Sequence, residues 1–140
     1  MIDKQFFRNI VINLLSNAIK FSPQNSNIDV DTKVTDDQSS NEADNSHIVV
    51  HTKVTSKHLE LVVKDCGIGI PEEEKGSLFE RFFRAKNASN IQGTGLGLSI
   101  VAKYIEVLHG TIKFESELNK GTIFNIIIPV QNENNSINWR

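Results

Sequence analysis

A single cysteine, Cys66, stands among the 140 residues, so the chain can form neither an internal disulfide nor a thiolate zinc cluster. No stretch approaches the roughly 18 consecutive apolar residues that a membrane-spanning helix needs. The N-terminus also lacks the basic, apolar and small-residue regions of a secretory signal. His47, His51, His58 and His109 are scattered, without acidic or cysteine neighbours at ligand spacing, so no metal site made from protein ligands alone is expected. Neither sign of charge dominates: 17 acidic side chains face 15 basic ones. Nothing in that balance points to nucleic acid or to a membrane surface. The expectation is a cytoplasmic protein or fragment of one.

What is present suits one core. Hydrophobic residues make up 39% and charged residues 23% of the sequence, ordinary values for a soluble domain of this length. Asp3 is a candidate N-cap, and Phe7, Ile10, Val11, Leu14, Leu15, Ala18 and Ile19 follow at three- and four-residue spacing until Pro23. At about 100° per residue, Asn9, Asn13, Ser16, Asn17 and Lys20 share the opposite stripe of that helix.

From Gln24 to Asp44 the composition turns polar, too polar to fold by itself. An internal repeat lies across it: "NSNIDVDTKVT" (Asn25 to Thr35) and "NSHIVVHTKVT" (Asn45 to Thr55) agree at eight of eleven positions, offset by 20. Two copies are too few for a solenoid. The reading is a duplicated strand of which one copy enters the main sheet, the second being preferred as the more apolar.

"HIVVHTKV" and "HLELVVKD" then read as strands joined through Thr55, Ser56 and Lys57. After "DCGIGIP", a short helix is expected from Pro71, at a first helical position, through "EEEKGSLFERFF". "RAKNASNIQGTG" has no period. A second strong helix is expected from about Leu96 to His109, stopped by Gly110. "TIKFES" and "TIFNIIIP" form a hairpin around Leu118 to Gly121, and 131–140 is a polar tail. This order predicts an α+β fold, a two-layer sandwich of one mixed sheet covered by about three helices, over residues 3–130 with a polar repeat insertion at about 25–45.

Two glycine-dense segments, "DCGIGI" and "GTGLGLS", let a ligand approach the backbone. The second opens into a helix, where free N–H groups favour anions. Neither is a Walker loop, and Leu98 stands where a dinucleotide fingerprint needs its third glycine. Taken singly, each segment has an ordinary reading as a turn or helix cap, and Asn13 and Asn17 as a solvated face.

Their joint order is more specific. "NLLSNAIKFS", "DCGIGIP", "LFERFFRA", "GTGLGLSIV" and "GTIFNIIIP", met in that sequence, closely resemble the ATP-binding catalytic domain of sensor histidine kinases, with its asparagine, glycine and phenylalanine boxes. The resemblance spans Asp3 to Pro129 apart from the insertion. It implies the Bergerat ATP-binding fold, with ATP and Mg²⁺ as cofactors.

By that resemblance Asn17 ligates the Mg²⁺ that bridges the phosphates, with Asn13 one turn earlier and Lys20 meeting phosphate oxygens. A neutral amide oxygen suits a hard cation that takes few protein ligands. Asp65 would accept from the adenine amino group, with Gly67, Gly69, Ile70 and Thr122 around the base. Gly93, Thr94, Gly95 and Gly97 would shape a lid, with backbone N–H groups from Leu96 to Leu98 at the phosphates. Arg84 would stabilise charge at the γ-phosphate, with Lys86 as a second candidate.

Three positions depart from the family's usual residues: Phe21 where tyrosine is frequent, Gln92 where glycine is, and Cys66 where asparagine or threonine is. The superfamily's ATP-hydrolysing topoisomerase and mismatch-repair branches carry a general-base glutamate four residues before the magnesium asparagine. Asn13 occupies that place here and cannot take a proton from water, which favours kinase over ATPase.

The resemblance therefore implies a two-component histidine kinase domain that passes the γ-phosphoryl group to a histidine. This chain shows no acceptor segment of the H-E-x-x-x-P kind. The acceptor would sit on a phosphotransfer and dimerisation domain, in cis or in trans, and a response regulator would follow. The parent protein would be cytoplasmic or a membrane-anchored receptor's cytoplasmic part. The alternative is a nucleotide-binding interaction module without catalysis.

Overall fold

The computed structural model describes residues 3–23, 26–34, 47–81, 83–85 and 97–130. Helix α1 (Lys4–Phe21) starts where Asp3 Oδ1 accepts from the Gln5 and Phe6 N–H groups at 2.8 and 3.3 Å. Capping of this kind satisfies donors that the first helical turn leaves without partners. Ile10, Leu14 and Ala18, four residues apart, are its buried line. It ends when Ser22 turns extended, its N–H still donating to the Ala18 carbonyl, ahead of Pro23.

Five strands form one mixed sheet: β1 (Asn27–Val34), β2 (His47–Val54), β3 (His58–Asp65), β4 (Thr111–Glu117) and β5 (Gly121–Pro129), in the order β1-β2-β3-β5-β4. The β1/β2 pair is parallel and the others antiparallel. Burial alternates along β3, with Leu59, Leu61, Val63 and Asp65 on the face that carries the helices. That alternation is the period of two expected of a sheet covered on one side.

Helix α2 (Gly97–Val107) lies beside α1 on that face. Ile10, Leu14, Val101 and Ile105 close over Leu61, Val63, Ile126 and Ile128, all almost fully buried. The expected α+β sandwich of one mixed sheet under helices is therefore the fold.

Three local expectations are corrected. Both copies of the repeat enter the sheet, not the second alone: β1 is an edge strand, for which burial on one flank suffices, and it lies in register with β2, Ile28 against Ile48 through Val34 against Val54. The segment after Pro71 is a 3₁₀ helix, Glu72–Ser77, with Pro71 as its N-cap rather than its first residue. Six residues including Gly76 carry no buried side chain to hold a longer α-helix.

At the end of α2 the left-handed residue is His109, with φ 57°, and Gly110 follows it. The Gly110 N–H closes back on the Ile105 carbonyl at 2.9 Å. A side chain at Gly110 would meet the Ile127 carbonyl, so glycine is needed there for close packing. The tail 131–140 and most of the insertion lie outside the described residues.

Candidate functional site

The first half of the site forms where the two helices meet. Phe6 stacks on Tyr104 with ring centroids 4.9 Å apart, and Asn9 Nδ2 donates to the Tyr104 hydroxyl at 3.4 Å. One turn on, Asn13 Nδ2 donates to the Asn9 carbonyl at 2.8 Å, which leaves the amide oxygen turned away from its own helix. That oxygen faces Gly97: a β-carbon there would lie 3.4 Å from Asn13 Oδ1, with the Asn17 amide nitrogen and oxygen next at 3.9 and 4.0 Å. The two side-chain amides on α1 thus meet the backbone at the start of α2. Lys20 is exposed in the last turn of α1, one turn beyond Asn17.

The second half forms where β3 runs out. Asp65 is 7% exposed, and its Oδ1 accepts from the N–H groups of Gly67 at 2.9 Å and Thr122 at 3.2 Å. Both backbone donors reach the same oxygen. Burial pushes the carboxyl pKa up, and the two N–H groups pull it down by less.

The chain leaving Asp65 is threaded between two walls. A side chain at Gly67 would collide with the Phe21 carbonyl at the end of α1. Gly69 has φ 71° and abuts the Glu117 carbonyl, a position that only glycine fills without strain. The Asn119 N–H donates to the Ile68 carbonyl at 2.9 Å, and Ile70 is buried just beyond.

The close approach of Phe21 and Gly67 joins the two halves. Asn13, Asn17 and Gly97 form one group; Asp65, Gly67, Gly69, Ile70 and Thr122 form the other. Leu98 packs its side chain against the core, so only its backbone is available to a ligand. Arg84 is exposed beyond the 3₁₀ helix. Gly93, Thr94, Gly95, Leu96, Gln92 and Lys86 lie outside the described residues.

The family model described as "Histidine kinase-, DNA gyrase B-, and HSP90-like ATPase" matches residues 2–132, nearly the whole chain. The chain belongs to that family. The adaptive-response sensory kinase SasA of Gloeothece citriformis is 33% identical over 128 residues, covering 91% of this chain and 28% of its own length. The signal transduction histidine-protein kinase ArlS of Staphylococcus aureus is 48% identical over 85 residues, 59% of this chain and 19% of its own.

Among solved structures, the mycobacterial sensor histidine kinase MprB superposes with a TM-score of 0.64 at 29% identity, covering 91% of this chain and 74% of that one. The catalytic domain of histidine kinase ThkA superposes equally well, with a TM-score of 0.64 at 29% identity over 91% and 69% of the two chains. The chain spans under a third of the length of these curated relatives.

Within this histidine kinase-like domain one supporting residue escaped the sequence reading. Ser116 Oγ accepts from the Ile70 N–H at 2.9 Å, lies 3.0 Å from the Gly121 carbonyl, and is 2.8 Å from Thr122 Oγ1. It ties the glycine loop to the β4/β5 hairpin. The only signal was a serine where the alternation of Ile112 and Phe114 calls for a third apolar residue. Ser116→Ala leaves the Ile70 N–H without its acceptor and is expected to cost about 1–2 kcal/mol in urea unfolding.

Proposed function

We propose that this domain binds ATP with Mg²⁺ and transfers the γ-phosphoryl group to a histidine on a separate phosphotransfer and dimerisation domain. The observation that carries the reading is Asp65, a buried carboxylate whose one oxygen is held by two backbone N–H groups. Its other oxygen, Oδ2, accepts the adenine amino group. Guanine carries a carbonyl at the corresponding position and is refused. Gly67, Gly69, Ile70 and Thr122 line the base.

The side-chain amides of Asn13 and Asn17 meet the start of α2, and neutral, hard amide oxygens fit Mg²⁺. Asn17 would hold the metal, with Asn13 beside it and Lys20 at the phosphates. Bound Mg²⁺ would supply positive charge against the phosphates. The family resemblance assigns phosphate contacts to Gly93, Thr94, Gly95, Leu96, Gly97 and Leu98, and Arg84 meets charge at the γ-phosphate.

A histidine ring nitrogen of the acceptor domain attacks the γ-phosphorus, the bond to the β,γ-bridging oxygen breaks, and ADP leaves. The acceptor is itself the nucleophile, so this chain's work is positioning and charge stabilisation rather than proton abstraction. Asn13, in place of a carboxylate base, agrees with transfer rather than hydrolysis. A response regulator then takes the phosphoryl group. Among the described residues no helix is long and apolar enough to cross a membrane, in keeping with a cytoplasmic catalytic domain.

Calorimetric titration with ATP and Mg²⁺, followed by radiolabelled phosphotransfer to an added histidine-bearing hairpin from a sensor kinase, tests the reading. Binding followed by labelling of the hairpin is expected. Binding without labelling of any hairpin supplied would make the domain a nucleotide-responsive interaction module.

A further inference from the structure

The sheet position beside β3 has two candidate occupants within one chain. The repeats that form β1 and β2 differ at only three of eleven positions, Asn27 against His47, Asp29 against Val49 and Asp31 against His51. These three alternate with the shared residues. Val49 lies on the face turned away from the helices, because Ile48 and Val50 on either side of it are 2% and 5% exposed. At the intervening positions the two copies carry the same residues in order and in register, Ile28, Val30, Thr32 and Val34 against Ile48, Val50, Thr52 and Val54. Ile28 and Val30 hold the right side chains but stand 45% and 68% exposed at the sheet edge.

We propose that the two repeats are interchangeable, the first copy able to leave the edge and take the place of β2 against β3 within the same chain. Three observations carry this beyond the likeness itself. The copies already lie parallel and in register at the repeat offset, so the exchange moves the first copy sideways by one strand spacing, about 4.8 Å, without reversing it or turning it over. The movement is toward α1, which precedes the first copy, so the segment 22–26 need not lengthen. Residues 35–57 then form the return to His58, far longer than the gap they must span.

The core receives the same isoleucine and valine it had before. On the outer face Asp29 replaces Val49 opposite Lys64, bringing an acid beside a base next to Asp65. The duplication is thus a strand exchange within the chain, one sheet position served by either of two segments, and it alters charge near the nucleotide end of β3.

Disulfide trapping tests this in a Cys66→Ser background. In the exchanged arrangement Val30 stands where Val50 does, opposite Val63. In the edge arrangement two strand spacings, about 9–10 Å, separate β1 from β3, beyond the roughly 7 Å that a disulfide bridges. The Val30→Cys/Val63→Cys protein under mild oxidation is expected to lose both thiols and remain a monomer with its cooperative melt. Absence of that bridge, while a Val50→Cys/Val63→Cys control closes, overturns the proposal. So does a covalent dimer alone, which would place the exchange between chains.

A second comparison needs no cysteine. Val50→Asp alone is expected to retain a cooperative melt and Val30→Asp/Val50→Asp to lose it. Equal loss in both also overturns the proposal.

Discussion

Asp65→Asn is expected to lose ATP affinity by about 30- to 1,000-fold and yet to melt no lower than the wild type without ligand at pH 7 to 8. The affinity loss follows from chemistry at one atom. The asparagine oxygen can keep both backbone bonds that Oδ1 accepts from Gly67 and Thr122. The substituted position then presents N–H groups to the adenine amino group, donor against donor. Losing a hydrogen bond to a charged acceptor and gaining an unmatched buried donor costs about 2–4 kcal/mol. GTP offers a carbonyl at that place, so the preference for ATP over GTP should shrink in the same titrations, which a merely unfolded variant would not show.

The stability half rests on the sign of the pKa shift. Burial holds the Asp65 carboxyl above its unfolded value. Any stability it contributes is therefore fully present below the unfolded pKa and lost as pH rises through the folded one. At neutral pH the buried charge is a net cost that the amide relieves, so the wild type should gain on the variant as pH falls through the carboxylate range. Melting curves across that range without nucleotide check the sign. A variant far less stable at pH 7 but binding ATP normally would mean that Asp65 braces the turn and does not read the base.

Much of this arrangement is local in the sequence, and that part was legible. Asp3 with its apolar periodicity marks α1, and "TIKFES" with "TIFNIIIP" marks a hairpin, because caps and alternation act over a few residues. The resemblance singled out Asp65 and Gly67 together, and the structure places them in one turn. Parallel pairing of the two repeats was not legible. It joins segments 20 residues apart, and Asp29 and Asp31 give the first copy a polar look although its Ile28 and Val30 match Ile48 and Val50. Ser116 was hidden for a similar reason: its partners Ile70 and Thr122 come from two other segments. The left-handed residue after α2 is His109 rather than the glycine beside it, since Gly110 is occupied with close packing against Ile127.

The asparagine that prompted the metal reading makes the other large prediction. Asn17→Ala is expected to lower phosphotransfer to a supplied histidine hairpin by about 10²- to 10³-fold, the scale of removing a metal's stabilisation of transition-state charge. Asn17 is half-buried in the C-terminal part of α1, and alanine is the better helix former by several tenths of a kcal/mol, so the ligand-free variant should melt at or slightly above the wild type.

A loss of activity with no loss of stability separates a ligand from a structural amide. The metal dependence sharpens the distinction. Wild-type ATP affinity should fall when Mg²⁺ is chelated, whereas the variant should bind ATP weakly at the outset and respond little to the chelator. Asn13→Ala gives the contrast, because it also breaks the 2.8 Å bond to the Asn9 carbonyl, so its smaller catalytic loss should come with a changed melt. If Asn17→Ala kept full Mg²⁺-dependent affinity and transfer, the metal would have to be held elsewhere, and the two amides would be helix surface after all.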